Sequence, residues 1–301
     1  MKGIILAGGA GTRLYPLTIV TSKQLLPVYN KPMIYYPLST LMLAKIREVL
    51  IISTPDDTPR ISQLLGDGSQ LGMKLEYAVQ EKPEGLAQAF TIGKDFIGDD
   101  SCAMILGDNI FYGNGLNAKL SAAVKMADKG QATIFGYYVE DPERFGIMEF
   151  KRTSDDKDSG LKVLSVEEKP ANPKSNYAIV GLYFYPAGVS EMAANVKPSP
   201  RGELEITTLN EMYLQEERLH AQLLGRGFTW MDAGTIDSLR RATNFVCMIE
   251  QYQGMSISAP EEIAYRFGWI SKEQLQESAD KYGKSPYGEH LRAVLEDRIV
   301  L

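Results

Sequence analysis

The sequence contains few of the residues from which disulfide frameworks, transition-metal sites and histidine-based active centres are built. Its 301 residues include two cysteines, Cys102 and Cys247, and two histidines, His220 and His290. The cysteines are widely separated and form no C-x-x-C pair, which argues against a disulfide framework or a zinc site and favours a reducing, cytoplasmic compartment. The scarcity of histidine argues against a histidine-ligated metal or a catalytic triad, and His220, in a strand-like segment, is interpreted as structural.

Long apolar runs and an excess of positive charge are also missing. No apolar run approaches the roughly 20 residues of a membrane-spanning helix, and the run after Lys2 is too short for a signal peptide. The net charge of −6 disfavours a polyanion such as nucleic acid as a partner. A small anion is still compatible, since within about 8 Å a local cluster of cations outweighs distant carboxylates. We therefore expect no membrane and no nucleic-acid partner.

What the sequence does have is a glycine-rich loop directly after a predicted N-terminal strand. A short apolar, β-branched run ends in the segment GGAGTR, residues 8–13. Glycine permits positive φ angles and a close approach of the backbone to a ligand, and successive N–H groups can form a concavity for anions. Arg13 adds a planar fork of donors that matches phosphate oxygens. The loop predicts a polyphosphate site, and the alternative is a turn that only reverses the chain.

Two common phosphate motifs do not fit this loop. A Walker loop needs a lysine followed by serine or threonine after its last glycine, and neither is present here. The dinucleotide fingerprint needs a third glycine where this sequence has Leu14.

Strand-like and helix-like patterns alternate in the first 130 residues. Predicted strands at 2–7, 49–53, 75–79 and 103–106 are each followed by a predicted helix, at 32–44, 58–65, 85–96 and 116–127. This rhythm is typical of a Rossmann-like α/β fold, with a mixed, mainly parallel sheet flanked by helices. Ligands of such sheets bind beyond the carboxyl ends of the strands, where both Gly8 and Asp108 lie.

The pattern changes after residue 131. Shorter predicted strands at 132–138, 146–150, 161–167 and 177–185 indicate antiparallel additions that form a second, β lobe, with a charged, exposed hairpin loop at 153–160. From residue 235 the chain is predicted to be helical, at 237–251, 261–267, 272–281 and 287–297. We expect an α/β domain at 1–240 followed by a C-terminal helical appendix at 241–301.

Several motifs together resemble one enzyme family. They are LAGGAGTRLYPLT, SKQLLPV and KPMIYYPL within the first 40 residues, EGLAQA at 84–89, LGDN at 106–109, VEEKP at 166–170 and RGELEIT at 201–207. Over nearly the whole chain the sequence is similar to the sugar-1-phosphate nucleotidyltransferases, more narrowly to those that use dTTP and glucose 1-phosphate. The resemblance implies transfer of a thymidylyl group to α-D-glucose 1-phosphate, giving dTDP-glucose and pyrophosphate, in the formation of dTDP-L-rhamnose.

The resemblance also divides the chain and assigns its site residues. The nucleotide part covers about 1–130, the sugar-phosphate part, which is the β lobe, about 131–240, and the C-terminal region would regulate and pack subunits. Arg13, Lys23 and Lys169 are implied as catalytic cations. The residues implied to bind the nucleotide are Leu6, Gly8, Gly9, Gly11, Thr12, Arg13, Gln24, Gln80, Gly85 and Asp108. Those implied to bind the sugar phosphate are Gly146, Glu168, Lys169, Ile179 and Arg201. A lone lysine such as Lys169 is otherwise typical of a solvated face.

Two aspartates are candidate metal ligands. Asp108 follows an apolar strand in the GDN motif, and Asp232 lies in the segment WMDAG. Carboxylates that face a triphosphate suit Mg²⁺, which takes oxygen ligands from protein and phosphate. Each aspartate alone is equally explained as a helix cap or turn residue. The resemblance implies that both hold Mg²⁺, although Ala233 stands where the family usually has threonine.

Gln80 offers a physical basis for base selection. Its amide can accept from the N3–H of an imide base and donate to O4, whereas cytosine presents the opposite pattern. Thymine and uracil present the same edge to this side chain, so a sugar-1-phosphate uridylyltransferase with a different base or sugar is an alternative function. For Gln80 itself, the alternative is a surface amide without a role in binding. A non-catalytic nucleotide-sugar sensor is the alternative from a different functional class.

The segment EEIAYR after Pro260 opens a predicted C-terminal helix. Its acids are explained by helix capping alone. The resemblance implies instead a second site for the feedback inhibitor dTDP-rhamnose, formed by Tyr112, Gly113, Glu262, Ile263 and Arg266, and a homotetramer.

Overall fold

The computed structural model describes residues 1–153 and 160–299. Most of the charged segment predicted as an exposed hairpin loop, 154–159, lies outside the described residues. Within them the strands are β1 (Lys2–Leu6), β2 (Pro27–Val28), β3 (Lys31–Pro32), β4 (Glu48–Ser53), β5 (Lys74–Val79), β6 (Cys102–Leu106), β7 (Asn109–Gly113), β8 (Ala132–Tyr138), β9 (Gly146–Arg152), β10 (Leu161–Glu168), β11 (Tyr177–Tyr185), β12 (Leu219–Leu224) and β13 (Phe228–Asp232).

The α-helices lie on both sides of the strands and at the C-terminal end. They are α1 (Tyr35–Leu43), α2 (Thr58–Leu65), α3 (Gln88–Ile92), α4 (Lys94–Ile97), α5 (Leu116–Asp128), α6 (Val189–Ala193), α7 (Ile206–Gln215), α8 (Ile236–Gln253), α9 (Pro260–Arg266), α10 (Lys272–Tyr282) and α11 (Pro286–Leu295). Among the described residues no helix combines the length and apolarity that crossing a membrane requires.

One large mixed sheet forms the centre, which confirms the predicted α/β fold class. The strands β5, β4, β1 and β6 are neighbours and run parallel. β11 pairs antiparallel with β6, and β8, β9 and β10 continue the sheet from there. The strands of the predicted β lobe therefore share the sheet of the nucleotide part. The four strands predicted as antiparallel additions, β8, β9, β10 and β11, all pair antiparallel, and β12 then adds to β8 in the parallel direction.

Alternating side chains of the central strand face two separate cores. On β1, Ile4 and Leu6 pack in one apolar cluster with Phe90 of α3, while Ile5 packs in the other with Leu38 of α1. This alternation follows from the period of two in a β-strand. Because both faces of β1 are buried, its sequence is a continuous apolar run. Helices therefore cover both faces of the sheet, as predicted.

Of the C-terminal helices, α9, α10 and α11 pack on one of these cores, whereas α8 packs in a third, smaller cluster, and local signals mark where helices begin. α8 begins at a capping box in which the Thr235 side chain accepts from the N–H of Ser238, and α10 begins at another, formed by Ser271 and Gln274. Leu275 of α10 and Leu291 of α11 are fully buried in the same cluster as Leu38.

Two sequence expectations differ from the structure. The single helix predicted at 85–96 is two short helices, α3 and α4, which are separated at Gly93. The first begins only at Gln88, because Gly85 has a φ of 120° and its backbone lies against Leu204. The ribbon formed by β7 and β13 was not expected from the sequence.

Candidate active site

The glycine-rich loop and Asp108 meet because their strands are neighbours. Leu6 at the end of β1 pairs in register with Leu106 at the end of β6, and Gly107 N–H donates to the Leu6 carbonyl at 2.9 Å. The loop itself uses left-handed backbone at Gly9 and Gly11, with φ angles of 96° and 58°. A 3₁₀ turn over Thr12–Leu14 follows and presents Arg13 at the surface. The arrangement places backbone N–H groups and a cation at the carboxyl end of the sheet.

Gln80 lies directly against the glycine loop. A Cβ atom at Gly8 would be 2.2 Å from Gln80 Oε1, so a larger residue at this position would displace the end of the Gln80 side chain. The Gln80 side chain is buried, and its Nε2 donates to Gln88 Oε1 at 2.6 Å. Gln88 in turn donates to Glu84 Oε2 at 2.9 Å. The amide of Gln80 is thus held in one orientation by Gln88, a residue that sequence reasoning missed although it is part of the EGLAQA motif.

Gln24 is one of the residues implied to bind the nucleotide, and the resemblance implies that it contacts the ribose; in the structure its side chain lies in the interior. Its side chain is 1% exposed, and its Oε1 accepts from Ser22 Oγ at 2.8 Å. It packs beneath Gly107, where a Cβ atom would be 2.9 Å from Gln24 Cγ. In this position Gln24 anchors the segment that carries Lys23, and its ribose contact stays a prediction.

Lys23 and the two predicted metal ligands form one charged cluster. Lys23 Nζ donates to Asp108 Oδ2 at 2.6 Å. Burial alone would raise the pKa of Asp108, but the Lys23 ammonium and hydrogen bonds from Lys23 and Asn109 hold that pKa below its usual range. Asp232 shows the opposite balance, since burial and the Asp108 carboxylate raise its pKa against the nearby guanidinium and ammonium groups. The surroundings therefore favour the ionised form of Asp108 and disfavour that of Asp232.

The donor set of this cluster fits Mg²⁺. Asp232 pairs with Asn109 across the β7–β13 ribbon, and Ala233 N–H donates to the Asp108 carbonyl at 2.9 Å, which holds both carboxylates at one end of the ribbon. Within 1–153 and 160–299 no group of three or more His, Cys, Asp or Glu side chains could hold a metal. Two carboxylates suffice for Mg²⁺, which commonly completes its coordination with substrate phosphates and water. Ala233 is fully buried in an apolar cluster, and its methyl group supplies no hydroxyl to the site.

A cavity of about 190 Å³ adjoins the carboxylates and contains most of the predicted sugar-phosphate residues. Its walls include Arg13, Asp108, Gly146, Glu168, Lys169, Ile179 and Asp232. Sequence reasoning did not assign a role to several other wall residues, among them Asn109, Arg144, Tyr183, Thr207 and Trp230. The sequence could have indicated Trp230, because it lies in the WMDAG motif. In the structure its Nε1 donates to Asn109 Oδ1 at 2.6 Å.

Glu168 is the centre of a polar network on the sugar side. It accepts from the Thr207 hydroxyl, and Lys169 Nζ lies 3.8 Å from its Oε1. Arg201 is not on the wall of this cavity; its guanidinium lies 3.5 Å from Glu168 Oε1 and also pairs with Glu203 and Glu205. Lys169 has a φ of 42°, in the left-handed region that costs a non-glycine residue free energy and is enriched at functional sites.

A second cavity of about 730 Å³ lies between β7, the N-terminus of α5 and the C-terminal helices. All five residues of the predicted regulatory site line it: Tyr112, Gly113, Glu262, Ile263 and Arg266. Glu262 is buried, and accepts from Arg266 Nε and from His290 Nε2, both at 2.7 Å. Burial would raise the pKa of Glu262, but these two partners outweigh it and lower the pKa. The site therefore contains an ionised, fully partnered carboxylate beneath Arg266.

Comparison with known families decides the relationship. The family model described as nucleotidyl transferase matches residues 2–248. The chain belongs to the nucleotidyl transferase family. It is 54% identical over 293 residues to the glucose-1-phosphate thymidylyltransferase of Xanthomonas campestris pv. campestris, covering 97% of this chain and 96% of the relative. It is 52% identical over 296 residues to that of Mycobacterium tuberculosis, covering 98% and 99%.

Solved structures of the nucleotidyl transferase family show the same fold. A UDP-glucose pyrophosphorylase complexed with UDP-glucose aligns with a TM-score of 0.72 and 21% identity, over 82% of this chain and 98% of that one. The nucleotidyl transferase model ends within α8, so α9, α10 and α11 lie beyond it. The matches to the named thymidylyltransferases cover almost the full length and so include the segments that form these helices here. The resemblance inferred from the motifs is confirmed, and the protein is a nucleotidyltransferase enzyme.

Proposed function

We propose that this protein transfers the thymidylyl group of dTTP to α-D-glucose 1-phosphate and releases pyrophosphate, as the first step of dTDP-L-rhamnose formation. One observation carries the proposal: Arg13, Lys169, Asp108 and Asp232 converge on a single cavity beside the glycine loop and Gln80. The identity of 54% and 52% to two glucose-1-phosphate thymidylyltransferases, over nearly the full length of the chain, supports the choice of substrates.

The chemistry would be an in-line displacement at the α-phosphorus of dTTP by a phosphate oxygen of glucose 1-phosphate. That phosphate is already ionised at neutral pH, so no general base is needed, in keeping with the scarcity of histidine. Catalysis then consists of orienting two anions and neutralising the charge on the transferred group. Arg13, Lys23 and Lys169 supply positive charge, and the glycine loop supplies N–H donors.

Mg²⁺ is proposed as the cofactor, held by Asp108 and Asp232. When bound, it would reduce the negative charge of the phosphates. The raised pKa of Asp232, caused by burial and by the Asp108 carboxylate, supports this assignment, since a bound cation would favour the ionised form of both carboxylates.

Pyrophosphate release measured with a panel of nucleoside triphosphates and sugar 1-phosphates, in the presence of Mg²⁺, tests the function. We expect the fastest release with dTTP and glucose 1-phosphate, and slower release when UTP replaces dTTP. A preference for UTP or for another sugar phosphate would indicate the uridylyltransferase alternative. Nucleotide-sugar binding without any release would indicate a sensor, which the assembled carboxylates and cations disfavour.

We expect the nucleotide order dTTP, then UTP, with CTP and GTP far behind. Each buried group of Gln80 left unpaired by cytosine costs about 1–3 kcal/mol, so kcat/KM for CTP should be lower by about 10². Gln80→Ala should narrow this gap, while Gln276→Ala, at an exposed glutamine of α10, should leave it unchanged. Use of CTP as well as dTTP by the unaltered enzyme would show that Gln80 does not select the base.

A second proposal is that dTDP-L-rhamnose inhibits the enzyme from the 730 Å³ cavity. The predicted regulatory residues all line that cavity, and no described residue belongs to both its wall and that of the catalytic cavity. The named thymidylyltransferases match the helices that form one side of it.

Arg266→Ala should weaken this inhibition about 10-fold and change the uninhibited kcat by less than about twofold, because a charged hydrogen-bond donor to the inhibitor is lost at a distance from the reacting groups. Initial rates over a range of dTDP-rhamnose measure the effect. Arg298→Ala is the matched control, since Arg298 also forms a 2.7 Å pair, with Glu296, but does not line the cavity. Purely competitive inhibition that Arg266→Ala leaves unaltered would contradict the second site.

We also propose a cytoplasmic homotetramer, in which the 241–301 region packs subunits. Large apolar side chains on the outer face of α8 support this, since Met248 is 50% and Tyr252 is 86% exposed. The free state of Cys102 and Cys247 is consistent with a reducing compartment. Sedimentation velocity of the full chain measures the oligomeric state.

A further inference from the structure

Arg144 is a wall residue of the catalytic cavity to which the sequence motifs assign no role. It ends a 3₁₀ turn, Pro142–Arg144, one residue before Phe145 and two before β9. Its Nη1 donates to Asp141 Oδ2 at 2.5 Å, and its guanidinium lies 5.3 Å from the centroid of the Phe145 ring. The guanidinium is therefore held by one charged partner and one aromatic face, although half of the side chain is exposed.

The surroundings of Arg144 place it on the sugar-phosphate side of the cavity. The backbone N–H of Lys169, the predicted catalytic lysine, donates to the carbonyl of Phe145 at 3.0 Å. Because Phe145 follows Arg144 directly, this bond holds Arg144 and Lys169 on neighbouring segments. The ring of Phe145 packs edge-to-face on Trp230 at 5.4 Å, and Trp230 is two residues from Asp232 on β13. Arg144, Lys169 and Asp232 all line the cavity.

We propose that Arg144 binds the phosphate of glucose 1-phosphate together with Lys169, and that Asp141 positions it; this inference rests on the function proposed above. The cavity wall carries the carboxylates of Glu168 and Asp232, so a dianionic substrate enters only if cations offset them. A guanidinium is suited to this because its planar fork can donate two parallel hydrogen bonds to phosphate oxygens. Its anchoring on Asp141 and Phe145 reduces the side-chain freedom lost on binding.

The test is a steady-state comparison in which each substrate is varied separately. Arg144→Ala should raise KM for glucose 1-phosphate about 10-fold or more, the loss expected for a charged hydrogen bond, with KM for dTTP changed by less than about twofold. Arg144→Lys should recover part of the loss, since it keeps the charge but not the fork. Asp141→Asn should raise the same KM by a smaller factor and leave kcat nearly unchanged.

Arg60→Ala is the matched control. Arg60 pairs with Asp57 in the same i, i+3 arrangement, its side chain is 48% exposed against 49% for Arg144, and it lines neither the catalytic nor the 730 Å³ cavity. Thermal unfolding of all variants shows whether a loss comes from the fold. If Arg144 only closes its turn, both alanine variants will lower the melting temperature slightly and neither will change KM.

Two further outcomes separate this inference from the proposed function. A raised KM for pyrophosphate in the reverse reaction, with an unchanged KM for glucose 1-phosphate in the forward one, would overturn the assignment to the sugar phosphate. An unchanged KM for glucose 1-phosphate in a folded, active Arg144→Ala enzyme would overturn it as well. Absence of transfer by the unaltered enzyme would instead refute the proposed function.

Discussion

Asp108→Asn is expected to lower kcat by about 10³ or more while the protein stays folded. The substitution removes a proposed Mg²⁺ ligand and also the partner of Lys23, whose Nζ lies 2.6 Å from Asp108 Oδ2. Loss of one preorganised charge-stabilising contact lowers kcat by about 10²–10³ in other enzymes. Here the substitution removes a contact to the proposed Mg²⁺ and a contact to Lys23 together, so the larger loss is expected. Asp232→Asn should have a similar effect, because this carboxylate shares the site.

Pyrophosphate release at several Mg²⁺ concentrations measures this loss, and circular dichroism confirms that the variants are folded. Asp99→Asn, at an exposed position, is the control and should keep normal activity. Partial recovery at high Mg²⁺ would agree with a weakened metal site. Near-normal release by Asp108→Asn would show that this aspartate is not a metal ligand.

Glu250→Gln is expected to lower the free energy of unfolding by about 3–5 kcal/mol, the loss found when a buried ion pair is broken by removing one partner. Lys31 Nζ lies 2.9 Å from Glu250 Oε1, and the two side chains are only 2% and 8% exposed. Burial lowers the pKa of Lys31, opposed chiefly by Glu250. Glu250 also accepts from Asn30 and from the N–H of Ile257, so one carboxylate joins α8 to both the turn between β2 and β3 and the segment before α9.

Urea unfolding followed by fluorescence gives the free energy. Glu76→Gln is the control, because Glu76 pairs with Lys74 at 2.6 Å but both are solvent-exposed, and such pairs contribute about 0–1 kcal/mol. Replacing Lys31 by Met together with Glu250 by Leu should restore part of the stability, since no unpaired charge is then buried. A loss for Glu250→Gln no larger than that for Glu76→Gln would contradict a stabilising role for this pair.

The fold could be predicted where local pattern and burial coincide. Strands such as β8 and β11 have the predicted bounds, because apolar, β-branched runs between turn residues carry their own signal. The ribbon of β7 and β13 could not be predicted in this way. Its strands are more than a hundred residues apart, and each is a short segment next to a loop motif, so only the tertiary arrangement shows that they pair.

The candidate site was predictable to the extent that its residues lie in contiguous motifs. Asp108, Lys169 and Arg13 are predicted as site residues because their neighbours in the sequence resemble a family, and the structure places all three on the wall of one cavity. Arg144 and Gln88 were missed because their roles depend on contacts between elements, with Phe145 and Trp230 in one case and with Gln80 in the other. The pairing of Arg201 with three carboxylates likewise has no sequence signature.

The β7–β13 ribbon joins the walls of the two cavities. Asn109 at one end of β7 lines the catalytic cavity, and Tyr112 and Gly113 at the other end line the 730 Å³ cavity, a separation of roughly 14 Å for a strand of this length. If ligands at the two ends favour different positions of this ribbon, thermodynamic linkage makes their effects reciprocal. Whatever factor dTDP-rhamnose imposes on substrate binding, dTTP and glucose 1-phosphate must impose on dTDP-rhamnose. An enzyme saturated with substrate would thus respond to the proposed inhibitor only at higher concentrations, so that inhibition would depend on the ratio of inhibitor to substrate.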